Sequence, residues 1–178
     1  MLRTELATLD DVLDRHAEAI GPDFEGYRNH AYRVANLCLA HTVSSTDSVE
    51  KIAITAAFHD LGIWTAQTFD YLEPSVALAM SHLGAAGHGD WAAEIAAMIR
   101  EHHKITPYRT NPGWLVEAFR RADWTDVSLG VLSLGLERGL IREIQGMWPD
   151  AGFHRLLVRL ELRHLGRHPL NPLPVIRW

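Results

Sequence analysis

Residues 48–63 read SVEKIAITAAFHDLGI, and this stretch decides the fold. From Ile52 to Phe58 only Thr55 is not apolar, and Gly62 supplies a helix stop soon after. The expectation is a helix buried in the core, with Asp47 or Ser48 as its cap. Two polar side chains, His59 and Asp60, fall at the exit of that helix, where burying an unpaired charge is expensive.

Helical patterns continue on both sides. Residues 27–43 place Tyr27, Val34, Leu37 and Cys38 toward a core, and 4–19 carry Leu6, Leu9, Val12 and Leu13 at helical spacing before Gly21-Pro22 interrupts them. Further helices are expected over 74–86, with Pro74 in the favoured first turn, and over 90–104, 114–132, 137–146 and 149–166. The Pro-punctuated segment HPLNPLPVIRW, 168–178, reads as an extended tail that packs back on the body. No apolar/polar alternation and no hairpin turn signal a strand. The expected fold is all-α, a bundle of about seven or eight helices forming one domain over 1–178.

The 178 residues are 47% hydrophobic and 22% charged, ordinary for a globular chain. A net charge of −5 removes the long-range attraction that a nucleic-acid surface needs, so no nucleic-acid partner is expected. No run approaches the length that spans a bilayer, and the N-terminus reads as an acidic amphipathic helix rather than a signal peptide, so no membrane partner and a cytoplasmic location are expected. The single cysteine, Cys38, reads as a buried structural thiol. Tryptophans such as Trp148 or Trp178 offer a surface for a homodimer.

The excess is in histidine, with 11 copies. His30, the pair His59-Asp60, and Asp123 can close around one divalent ion, since a carboxylate has two oxygens and can bridge to a second ion. His102 extends the inward stripe Ala92, Ile95, Ala96, Ile99, while His103 is turned by about 100° toward the rim. His16, His41, His154, His164 and His168 read as exposed or helix-end residues.

The order His30, His59-Asp60, His82, His102-His103, Asp123 resembles the HD-domain superfamily of all-helical metal enzymes, over about residues 27–127. The resemblance implies its two-metal branch, with one or two divalent ions of iron, manganese, zinc or magnesium. His30, His59, Asp60 and Asp123 would hold the first ion, and His82, His102 and a bridging Asp60 the second. His88 competes with His82 but lies in a Gly-flanked turn. The chain departs from many HD phosphohydrolases at Ile63, where they carry Lys or Arg, and its Lys-Ile-Thr-Pro-Tyr-Arg after His103 lacks the Gly-Tyr-Pro signature of the cyclic-dinucleotide enzymes.

Asp126 and Arg33 each fall one turn after a proposed ligand, and either orient those ligands or, for Arg33, bind phosphate. Tyr27, three residues before His30, can approach the same place. Lys104, Arg109, Arg120 and Arg121 add positive charge nearby. The function this implies is hydrolysis of a small phosphate ester, with Asp60, Arg33 and Lys104 in catalytic roles. A mixed-valent di-iron oxygenase is the alternative, which Ile63 helps, and a non-catalytic HD binding module is the third.

Overall fold

The computed structural model describes residues 1–167 and Val175. The fold is all-α: α1 Ala7–Arg15, α2 Ala17–Ile20, α3 Phe24–Ala40, α4 Thr46–Phe58, α5 Gly62–Thr65, α6 Leu72–Ala86, α7 Ala92–Glu101, α8 Val116–Val127, α9 Arg138–Met147 and α10 Phe153–Arg167. Eight of these run nine residues or more, and no strand occurs among the described residues. None of the described helices is long and apolar enough to cross a membrane.

Helix α3 is the axis of the body. It lies against α8, α4, α9 and α1, and from Gly26 to Cys38 only Arg28 is not buried. A helix buried all round is normally apolar, yet this one carries Asn29, His30, Arg33 and Asn36 inside, and each must find a partner there. Helix α4 packs beside it, as its apolar run leads one to expect. Its cap is Ser45 rather than Asp47 or Ser48: Ser45 and Ser48 bond reciprocally to each other's backbone N–H groups, which satisfies two orphan donors at once. Cys38 is fully buried, and burial pushes its thiol pKa up.

Helix α8 is shorter than the 114–132 pattern because Leu129 and Gly130 both take positive φ and break it. Trp148 is only 6% exposed and stacks on Tyr32 at 5.2 Å, so it is a core residue and presents no dimer surface. Trp178 and His168 lie outside the described residues, as does the tail except for Val175. Val175 is buried with Ile63, Tyr71 and Leu72.

Gly62 sets how closely α5 approaches α6. A Cβ there would stand 2.5 Å from the Tyr71 carbonyl oxygen and 2.9 Å from Ser75 Oγ, and the Gly62 N–H donates to that Ser75 oxygen at 2.9 Å. Only glycine lets the chain pass so near, and the contact delivers Tyr71, at the start of α6, to the polar cluster described next.

Candidate metal centre

Four helix ends and faces meet in one polar cluster. Helix α3 contributes His30, the turn after α4 contributes His59 and Asp60, the turn after α7 contributes His102 and His103, and α8 contributes Asp123. His30, His59, His102 and Asp123 are 0% exposed and Asp60 is 2%. The cluster meets solvent at His103, whose side chain is 14% exposed.

The rings are fixed from outside. His30 Nδ1 lies 2.7 Å from Asp126 Oδ2, His59 Nδ1 2.9 Å from the Ala56 carbonyl, and His102 Nδ1 2.6 Å from the Ile99 carbonyl. Carbonyls and an ionised carboxylate only accept, so each ring carries its proton outward on Nδ1 and turns the Nε2 lone pair inward. The inward atoms then crowd one another. His30 Nε2 and His59 Nε2 are 3.0 Å apart, and they lie 3.6 and 3.5 Å from Asp60 Oδ2 and 3.7 and 3.9 Å from Asp123 Oδ1. His102 Nε2 is 3.4 Å from Asp60 Oδ1, and His103 Nδ1 is 3.3 Å from Asp123 Oδ2.

The proton inventory tests whether a divalent ion suits these residues. Asp60 Oδ1, His102 Nε2 and both Asp123 oxygens are buried with no hydrogen-bond partner among the described residues, each a costly deficit unless a cation supplies it. Donors about 2.1 Å from a common ion stand roughly 3.0–3.4 Å from one another, close to the spacings above. Three overlapping trios qualify: His30, His59 and Asp60; His59, His102 and Asp123; and Asp60, His102 and His103, with ligand atoms in each trio within 4.8 Å. The residues fit a metal, and Asp60 belongs to two of the trios.

The local field agrees. Burial lowers the His59 pKa to about 4. Burial also works to lower that of His102, but Asp60 and Asp123 overcome it and the net shift is upward. Asp60 and Asp123 are held below the usual carboxylate range, against burial, by the surrounding imidazoles. A site that draws a proton onto a buried imidazole is a site that draws a cation.

Asp126 and Arg33 stand behind His30. Arg33 donates from Nε to Asp126 Oδ1 at 2.6 Å and from Nη2 to Oδ2 at 2.8 Å, while Nη1 donates to the carbonyls of Trp148 and Pro149 at 3.1 and 3.3 Å. Burial opposes ionisation of Asp126, but the hydrogen bonds from His30 and Arg33 win and keep it charged. Arg33 is therefore committed to a buried carboxylate and is not the phosphate contact that the sequence allowed.

The other expected residues divide. Tyr27 is buried against His30 and His59, but its hydroxyl donates to the Ala57 carbonyl and accepts from the Asp60 N–H, so it braces the turn that carries Asp60. His82 lies elsewhere, with its ring on Phe58 and the charges of Arg15, Glu50 and Asp11 around it. The reason is helix length: Tyr71, just before α6, reaches the cluster, and His82 is eleven residues on, about 16 Å further along the axis. His88 stacks on Trp91 instead. His103, expected at the rim, is the histidine that groups with Asp60 and His102.

Lys104 follows His103, 3.9 Å from Glu101; Arg120 pairs with Glu117, Arg121 donates to the Leu134 carbonyl, and Arg109 is exposed. His16 and His41 close α1 and α3, and His154 contacts Asp150 and the Asp126 carbonyl.

Tyr71 was not legible in advance. Its hydroxyl is 2.8 Å from His103 Nε2, and burial together with Asp60 and Asp123 raises its pKa. Its only sequence signal is a place in DYLEP just before a helix start. Comparison of the chain with protein-family models, with curated proteins and with solved structures gave no match.

Proposed function

We propose that the chain is a metal-dependent hydrolase of the HD-domain type acting on a small phosphate ester. The observation that carries the reading is the set of buried acceptors, Asp60 Oδ1, His102 Nε2 and both Asp123 oxygens, aimed at one another without a donor. One or two divalent ions, when bound, supply a Lewis acid that neutralises phosphoryl charge and acidifies water beside it. His30, His59 and Asp60, with Asp123 beside them, would hold the first, and Asp60, His102 and His103 would hold a second. Asp126, Ala56 and Ile99 keep the rings oriented, and burial keeps bulk water out. A substrate approaches at His103, beside which Lys104 provides positive charge.

Metal analysis of protein prepared without oxygen tests this. Wild type is expected to carry metal, and His59→Ala and Asp60→Ala to lose it; unchanged content in both variants overturns the reading. The di-iron oxygenase is favoured by a separate observation, the third trio with His103 combined with apolar Ile63 in place of a phosphate-binding cation. A coupled mixed-valent iron signal in electron paramagnetic resonance selects it. Manganese, zinc or magnesium with turnover of p-nitrophenyl phosphate selects hydrolysis.

A further inference from the structure

A second feature lies one aromatic layer from the cluster. Between the segment 63–69 and α10 there is a cleft of about 550 Å³, within the range of small-molecule sites. Trp64 and Phe69 line one side and Arg159, Arg163 and His164 the other. Trp64 is held rigidly, its indole N–H donating to Asp23 at 3.1 Å and its ring 4.6 Å from Tyr27. Tyr27 in turn touches His30 and His59. The lining turns at Gln67, a non-glycine residue at φ 51°, a conformation kept only where the surroundings impose it.

The charge of this wall is out of keeping with the chain. The total is −5, yet α10 repeats arginine every fourth residue at 155, 159 and 163, with Glu161 the one acidic residue of the helix. Residues four apart share a helix face, so the guanidinium groups of Arg159 and Arg163 stand one turn apart along the same opening. Asp23, the only acidic lining residue among those described, already accepts from Trp64 and stands 4.0 Å from Arg159. Among the described residues no ion pair neutralises Arg163. Two forked cations match the oxygens of a phosphate, and a rigid indole face matches a planar body.

We infer that this cleft binds a small phosphomonoester with an aromatic body, its phosphate on Arg159 and Arg163 and its ring against Trp64 and Phe69. Occupancy does not depend on the metal reading, because none of the cleft residues belongs to the cluster.

Calorimetric titration with adenosine monophosphate, adenosine and inorganic phosphate tests it. The wild type, the doubly substituted Arg159→Gln/Arg163→Gln protein, Asp60→Asn and chelator-treated wild type are compared. The nucleotide is expected to bind wild type, with both fragments weaker. The double substitution, at exposed positions that leave the fold intact, is expected to weaken it about tenfold or more. Asp60→Asn and chelator treatment are expected to leave the arginine-dependent part of that binding unchanged. No saturation by millimolar nucleotide, or equal affinity in the double variant, overturns the proposal. Phosphate alone binding as tightly as the nucleotide overturns the role of the two aromatics. Binding lost with Asp60→Asn or chelator but kept without the arginines puts the ligand on the metal cluster, so that the cleft proposal fails while the metal reading stands.

Discussion

Replacing Arg33 by methionine keeps most of its volume and removes every donor it brings to the interior. Four acceptors lose a donor: both Asp126 oxygens, bonded at 2.6 and 2.8 Å, and the carbonyls of Trp148 and Pro149. Asp126 would remain a buried anion with the His30 Nδ1–H as its one remaining side-chain donor among the described residues. Removing one partner of a buried pair costs about 3–5 kcal/mol, several times the worth of an exposed pair. With a urea m-value of roughly 2 kcal/mol/M, the midpoint should fall by about 2 M at pH 7.

Asp126→Asn should be destabilising too. The double variant should lose less than the sum of the two, with a coupling of about 2 kcal/mol, since neither charge is then left alone. The pH dependence has a defined sign. Because the folded-state pKa of Asp126 is depressed, its contribution is present above the unfolded carboxylate value of about 3.9 and is lost as pH falls below it. The gap between wild type and the Arg33 variant should therefore narrow below about pH 4. Urea titrations followed by circular dichroism measure all of this. A loss under about 1 kcal/mol for Arg33→Met, or simple additivity in the cycle, would refute the reasoning.

Gly62→Ala should cost about 1–3 kcal/mol in the same assay, because its Cβ meets backbone at 2.5 Å; Gly84→Ala, in α6 with nothing within 4 Å, should be neutral or stabilising by up to about 1 kcal/mol. Cys38 should be inert to a thiol-specific disulfide reagent in native protein and react fully once unfolded, since burial both shields it and raises its pKa; rapid native labelling would contradict this. Adding a divalent ion at about a hundred times its Kd should stabilise the protein by about 2.7 kcal/mol, read as a rise in Tm that chelator reverses; Asp123→Asn should abolish the response.

What was legible in the sequence follows from where periodicity applies. The buried α4 and the polar pair at its exit are visible because an apolar run ending in His-Asp has few ways to bury that pair. His102 could be placed inward from the stripe of α7, but His103 could not, because α7 stops at Glu101 and rotation by 100° per residue no longer describes the turn beyond it. Both rings reach the cluster for that reason, 3.9 Å apart. His82 failed in the opposite way: its order in the chain suited a ligand, and order says nothing of distance along a helix axis. Arg33 and Asp126 were found as shared helix faces, but their pairing spans 93 residues and needs the α3–α8 contact. Tyr71 arrives through the close pass at Gly62, which no local pattern announces.

The reach of Arg33 has a consequence for cooperativity. Through its Nη1 it grips the two carbonyls that end α9, and through Asp126 it holds the outer nitrogen of His30. Three segments distant in the chain, α3, α8 and the end of α9, are thus tied by one guanidinium. A partly folded form in which the α9–α10 junction is undocked cannot keep His30 oriented. Metal affinity and global unfolding should accordingly behave as one unit, with amide exchange in α3 and in α9 slowing together when an ion is added.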